Sequence, residues 1–302
     1  DMEKQGFLLD CGALQALGDE YRVEMQDLQG KIYDFAGGEF NIQSPKQLGE
    51  VLFDKLMLPA GRKTKSGYST DAQVLDNLAD KHPIVPLILQ YRQVAKLNST
   101  YIEGLLRLAD EKGRVHTRFM QAATATGRIS SQEPNLQNIP VRTERGREIR
   151  RAFIAPEGRL LVDADYSQIE LRVLADMSGD EDMRAAFASG LDIHAYTAAQ
   201  VNGIPLEEVT GALRSAAKAV NFGIVYGISD FGLAQNIGVT RAEASAFIER
   251  YFARYGKIKQ FMEDMVERGQ QDGYVTTMLG LWPYLPELTN NHYNTRRFGA
   301  PA

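Results

Sequence analysis

Leu160-Leu161-Val162-Asp163-Ala164-Asp165-Tyr166-Ser167-Gln168-Ile169-Glu170-Leu171-Arg172 is an apolar run that turns acidic and then helical in spacing. Its first part predicts a short buried strand ending at Asp165, and residues 168–177 predict a helix. A carboxylate at the exposed end of such a strand suits magnesium, a hard ion that takes oxygen ligands and completes its shell from water and substrate phosphates. A structural reading stands beside this one: Ser167 with Glu170 matches a capping box, and Asp165 favours a helix N-terminus. Asp163 shares the predicted strand face with Asp165, about 6.5 to 7 Å away. It is not expected to substitute, because ligands for a metal pair roughly 3.5 to 4 Å apart converge from different strands.

A second string, Arg214-Ser215-Ala216-Ala217-Lys218-Ala219-Val220-Asn221-Phe222-Gly223-Ile224-Val225-Tyr226-Gly227, places Arg214, Lys218, Phe222 and Tyr226 four residues apart. On a helix they form one drifting stripe, two cations followed by two aromatics. That order fits a nucleotide, with cations meeting a triphosphate and rings packing on sugar and base. Phe222 and Tyr226 read alternatively as plain core.

Working outward, Ser44-Pro45 with Gln47 marks a helix start, and Leu48, Val51, Leu52 and Leu56 recur at helical spacing. The stretch 58–70, LPAGRKTKSGYST, reads as an exposed basic loop, a candidate tip for touching a nucleic-acid backbone. Segments 71–82 and 84–110 read as helical. From Arg114 the pattern changes to short strands and polar loops. Arg142, Arg145, Arg147, Arg150 and Arg151 then follow within ten residues, either a solvated face or the local positive charge that DNA binding requires. From Glu181 to Gly273 helices with glycine breaks are expected.

Composition sets outer limits. A chain of 302 residues with 44% hydrophobic content can bury a sizeable core and divides ordinarily into two or three lobes. The net charge of −5 argues by itself against a nucleic-acid partner, so local distribution has to carry that case. Cys11 is the single cysteine, which leaves no intrachain disulfide and no cysteine-built zinc site. No stretch reaches the length of uncharged apolar residues that a membrane helix needs, and no secretory signal opens the chain, so the expected location is the cytoplasm, in association with the nucleoid.

Together with TATGRISSQEPNLQNIP between Thr124 and Pro140, these strings resemble the bacterial DNA polymerase I family, and FNIQSPKQL, YRQVAKLNSTY, FIERYFARY and YLPEL extend the resemblance over almost the entire chain. The resemblance implies an α/β (α+β) right-hand polymerase fold with largely helical thumb and fingers and a partial antiparallel-sheet palm. It assigns 1–100 to the thumb with an N-terminal palm-edge segment, 101–177 to the partial palm, and 178–302 to the fingers and the start of the return to the palm. By position, Asp165 matches the palm carboxylate that binds two Mg2+ ions, with the Tyr166 carbonyl as a further ligand. Gln168, Glu170, His194, Arg214, Lys218, Phe222 and Tyr226 match the nucleotide-binding set. Within it Glu170 is the gate against a ribose 2'-hydroxyl and Lys218 a catalytic group able to protonate the leaving pyrophosphate. Arg128, Gln137, Asn138 and Arg142 match DNA-binding positions, the first three near the minor groove at the primer end, where acceptors on correct pairs are nearly sequence-independent. Primer-template DNA and dNTPs are the implied partners, and no proofreading domain is expected.

Two departures stand out. The family's palm carries a His-Asp-Glu hairpin downstream of YLPEL, and none of His82, His116, His194 and His292 is followed by Asp-Glu. Gly280-Leu281-Trp282-Pro283-Tyr284 stands where the family has a run of arginines. The expected site is therefore half built, and a complementing C-terminal palm fragment is a further implied partner. Two alternatives remain at this point. One is a non-catalytic primer-template binding fragment, and the other is a single-subunit RNA polymerase, which Glu170 disfavours because RNA synthesis needs a small residue there.

Overall fold

The chain opens with a four-residue helix, α1 (Met2–Gln5), and a short strand, β1 (Phe7–Leu9), before Asp10 caps α2 (Cys11–Ala36) by accepting from the Ala13 amide at 2.9 Å. The computed structural model describes residues 1–60, 63–64, 67–124, 126–141 and 143–289, which fall into two units divided between residues 162 and 163.

In the first unit α3 (Pro45–Gly49) begins as the sequence predicts, with Pro45 in its first turn and the Ser44 hydroxyl accepting from the Gln47 amide. The Gln47 side chain does not return to Ser44, accepting instead from the Asn41 amide at 2.7 Å. The helix runs on as a π-helical turn over Glu50–Lys55. Strands β2 (Lys63–Thr64) and β3 (Gly67–Tyr68) then pair antiparallel, so the basic loop contains a small hairpin. Arg62 and Lys65, part of the expected DNA-touching tip, lie outside the described residues. The expected helix over 71–82 is shorter, α4 (Ala72–Asp76), whereas 84–110 is helical through α5 (Ile84–Lys96), a π-helical stretch (Leu97–Glu103) and α6 (Gly104–Leu108). Leu28 and Ile32 of α2 meet Ile84 and Ile88 of α5 in one apolar core with Leu48 and Leu52, so residues spaced three or four apart face inward on each helix.

The polar stretch after Arg114 folds as β4 (Arg114–Val115), β5 (Arg118–Met120) and β6 (Ser130–Gln132), followed by α7 (Glu144–Arg151) and β7 (Phe153–Ile154). β1 is the central strand of a sheet in the order β4-β1-β7, antiparallel on both sides, and β5 pairs with β6. Much of the arginine charge on α7 is met internally. Arg145 binds Glu24 at 2.6 Å, a hydrogen bond that holds the Glu24 carboxyl below the usual carboxylate range. Arg147 and Arg151 both reach Glu144, and Arg150 donates to the Ile139 carbonyl.

The second unit is helical: α8 (Ile169–Ser178), α9 (Glu181–Ala188), α10 (Ile193–Asn202), α11 (Gly211–Val225), α12 (Asp230–Ile237), α13 (Arg241–Arg254) and α14 (Gly256–Asp272). Its core gathers Leu171, Ile193, Ala217, Val220, Ile224, Leu233 and Tyr251. Tyr251 is fully buried, its hydroxyl has no hydrogen-bond partner among the described residues, and burial drives its pKa far upward. Because an unpaired buried hydroxyl costs about 1 to 3 kcal/mol, Tyr251→Phe is expected to raise unfolding free energy by about 1 kcal/mol in a denaturant melt. A loss of that size would reveal a bond the hydroxyl makes.

One predicted element does not form. Residues 160–165 adopt no strand, and Leu160 and Val162 are each 88% exposed. A strand needs a neighbour for its backbone groups, and among the described residues none runs beside this segment. The apolar run is consequently uncovered. The shared strand face expected for Asp163 and Asp165 goes with it.

Candidate nucleotide site

The entry to α8 differs from the capping-box reading. Gln168, not Ser167, is the cap residue, with φ 53 and ψ 40 and no side-chain cap bond. This left-handed backbone costs a non-glycine residue about 1 to 3 kcal/mol and persists only where its surroundings hold it. Part of that hold comes from Arg172, whose Nε donates to the Ser167 carbonyl at 2.9 Å while its guanidinium lies over the Phe187 ring. The turn leaves Ser167 outside the helix, so it cannot cap. Glu170 sits in the first helical turn, where a carboxylate favours the positive helix end. Both of its oxygens accept from the Tyr226 hydroxyl, at 2.7 and 2.8 Å.

α11 presents the predicted stripe. Thr210 caps it through the Leu213 amide, and Ala217, Val220 and Ile224 turn into the core. Lys218 is exposed, and Arg214 and Phe222 are half-buried. Tyr226 stands at the helix end. A side chain at Gly223 would come within 2.6 Å of Ile228, so glycine permits the chain to fold tightly back there. Arg214 grips Asp192 Oδ2 with two nitrogens, each at 2.8 Å. The other Asp192 oxygen accepts from the His194 and Ala195 amides and caps α10. Burial pushes the Asp192 carboxyl up, but the Ala195 amide and Arg214 outweigh it and hold the group below its usual value. Among the described residues Lys218 has no ion-pair partner.

His194 is buried, with its ring centroid 5.6 Å from that of Phe222. Desolvation lowers its pKa, Asp192 opposes that shift, and Arg214 and Lys218 reinforce it. Asn221 Nδ2 donates to His194 Nδ1 at 3.1 Å and lies 3.2 Å from the Thr197 hydroxyl, which in turn is 3.5 Å from the Tyr255 hydroxyl. Asp192, Thr197 and Asn221 were not singled out by sequence reasoning. The signal for Asn221 was present: an amide following Ala219-Val220 on an apolar helix face must find a partner.

Asp165 and Tyr166 lie in the exposed segment before α8, Tyr166 being 79% exposed. Their carboxylate and carbonyl oxygens are of the type magnesium takes. However, no group of three or more acidic, histidine or cysteine side chains that could hold a metal exists among the described residues. The donors present are thus short of a complete magnesium site.

The expected DNA-binding residues belong to the first unit. Arg128, Gln137 and Asn138 are exposed. The Gln137 amide braces its own loop, accepting from the Ser131 amide and donating to the Ile129 carbonyl. Asn138 contributes its carbonyl to the Tyr101 hydroxyl, leaving its side chain outward. Arg142 lies outside the described residues.

Comparison with known proteins finds relatives along almost the entire chain. The model of the DNA polymerase family A matches residues 11–301. The chain is 54% identical over 300 residues to DNA polymerase I of Bacillus subtilis (strain 168), covering 99% of this chain and 34% of that protein. It is 51% identical over 290 residues to the thermostable DNA polymerase I of Thermus aquaticus, covering 95% and 35%. The chain therefore spans about a third of the length of these relatives. Among solved structures, the POL domain of Pol1 from M. smegmatis, in complex with DNA primer-template and dNTP, superposes with a TM-score of 0.88 at 42% identity, over 99% of this chain and 53% of that one. The α/β polymerase fold expected from the sequence is met by that likeness. With a family model matched along nearly its whole length, the chain belongs to the DNA polymerase family A.

Proposed function

We propose that this chain carries the nucleotide grip and part of the DNA-holding surface for template-directed DNA synthesis, in which a dNTP is transferred to a primer 3'-hydroxyl. The observation that carries the reading is the alignment of Arg214, Lys218, Phe222 and Tyr226 along α11, with Glu170 bonded to the far end. Arg214 exchanges its Asp192 partner for a phosphate, since both are bidentate acceptors for a guanidinium. Lys218 offers an uncommitted ammonium to the same triphosphate and a proton to the departing pyrophosphate. Phe222 packs on the sugar, Tyr226 borders the nascent pair, and Glu170 fills the space a 2'-hydroxyl would need, which favours DNA over RNA synthesis. His194 and Gln168 complete the nucleotide contacts. Asp165 and the Tyr166 carbonyl would hold magnesium only with further ligands supplied, and its charge would then neutralise the phosphates. The residues present chiefly position the reactants.

In this reading 1–100 serve as thumb with a palm edge, 101–177 as partial palm and 178–302 as fingers with the start of the return to the palm. Arg128, Gln137, Asn138 and Arg142 meet primer-template DNA. A palm fragment bearing a second carboxylate would complement the chain, and the work would take place at the nucleoid in the cytoplasm. Among the described residues no helix is long and apolar enough to cross a membrane. The absence of an acidic cluster among the described residues favours one second reading, a primer-template binder without catalysis.

Anisotropy of a dideoxy-terminated primer-template tests the proposal. Affinity is expected to fall with salt by about 0.9 log units per log unit of salt for each duplex phosphate contacted. The dNTP complementary to the next template base should tighten the complex more than the other three. Salt-independent binding, or an equal response to all four nucleotides, would contradict template-directed synthesis.

A further inference from the structure

His194 offers two ring edges with different fates. Its Nδ1 faces Asn221 inside the core, and Asn221 is itself fully buried. Its Nε2 has no hydrogen-bond partner among the described residues, and although the residue is only 2% exposed, this is the ring edge not already engaged and so the one left for a ligand. The ring lies against Phe222, and Asp192, Arg214 and Lys218 are the charged groups that act on it. On the other side of Asn221, Thr197 and Tyr255 continue the buried polar chain.

The two nitrogens of a neutral imidazole cannot both donate or both accept. When the Asn221 amide donates to Nδ1, the proton is left on Nε2. We propose that Asn221 is a positioning residue that holds His194 in the Nε2–H tautomer, so that a neutral ring presents a hydrogen-bond donor to the phosphates of the nucleotide. This rests on the nucleotide reading of the α11 stripe. A lone pair on Nε2 would repel phosphate oxygens, and a charged ring would add a third cation beside Arg214 and Lys218 in a buried position. A neutral donor avoids both. Phosphate contact thereby becomes insensitive to histidine titration near neutral pH.

The test is long-range proton–nitrogen NMR of the 15N-histidine-labelled chain, with the His194 signals assigned by loss in His194→Gln. In the unsubstituted protein the Nε2–H tautomer is expected, and addition of primer-template with a dNTP and magnesium should shift Nε2. Asn221→Asp replaces the donor by an acceptor, which draws a proton onto Nδ1 and raises the histidine pKa. The ring then donates from Nε2 only while charged, and presents a bare Nε2 above its raised pKa. dNTP affinity of Asn221→Asp is accordingly expected to fall about tenfold from pH 7 to 9, the loss of one charge-assisted hydrogen bond. The unsubstituted chain should change by less than about twofold, within the scatter of such a bond. An Nδ1–H or doubly protonated ring in the unsubstituted protein overturns the inference, and that measurement does not depend on the folding of Asn221→Asp. A tautomer unchanged by Asn221→Asp overturns it as well. An Nε2–H ring whose signals ignore the nucleotide would instead overturn the phosphate contact on which the role depends.

Discussion

Lys218→Ala is expected to weaken dNTP binding by about 1.5 to 3 kcal/mol, the range for a hydrogen bond to a charged group, while leaving primer-template affinity nearly unchanged. The expectation follows from position: Lys218 is exposed one turn beyond Arg214 on α11 and has no ion-pair partner among the described residues. Little stability is therefore at stake, and the loss should fall on the ligand. Arg214→Ala differs in kind, because it also releases Asp192, the cap of α10. Titration of dNTP into the preformed DNA complex, beside titration of DNA alone, separates the two ligands. Equal losses for both would remove the triphosphate assignment.

The second large effect concerns sugar selection. Glu170→Ala should open the space that a 2'-hydroxyl would occupy, so in a chain supplied with a palm hairpin the preference for dNTPs over rNTPs should fall sharply. The capping-box reading carries a different expectation, a loss of about 0.5 to 2 kcal/mol of stability with unchanged selectivity. The structure removes that reading, because Gln168 is the cap residue and makes no side-chain cap bond. It puts in its place the bond from Tyr226 to both Glu170 oxygens. Tyr226→Phe keeps the ring and deletes that bond, so it should relax selectivity less than Glu170→Ala. Competition between a dNTP and its ribonucleotide at one template position measures both variants. Unchanged discrimination in Glu170→Ala would leave Glu170 a structural role, as in its bond with Tyr226, and none in sugar selection.

What was legible in the sequence was what local spacing encodes. The stripe from Arg214 to Tyr226 is written at helical period and appears on α11, and Ser44-Pro45 announces a helix that starts where it should. Where the reading failed, the deciding physics was not local. Leu160-Leu161-Val162 predicts burial by composition, but burial requires a neighbouring strand, and none lies beside it among the described residues. Ser167-x-x-Glu170 fits a capping pattern, but the left-handed turn at Gln168 moves the helix start by one residue and breaks it. The arginines of 142–151 read as a positive track, yet Glu24, distant in sequence, and Glu144 take up much of that charge. Asp192 and Asn221 acquire meaning only when α10 lies against α11, which brings one to Arg214 and the other to His194.

Holding two magnesium ions against their mutual repulsion needs more anionic ligands than Asp165 and one carbonyl provide. Each 1.36 kcal/mol of lost transition-state stabilisation is a factor of ten in rate, so a site several such steps short falls below ordinary detection. Magnesium-dependent extension of a primer should accordingly be measured with the 302-residue chain alone, and then with a separately supplied palm fragment carrying a His-Asp-Glu hairpin. DNA binding with little or no extension is expected of the chain alone, and extension is expected to appear on mixing. Robust extension by the isolated chain would contradict this, showing that the carboxylates at 163 and 165 suffice.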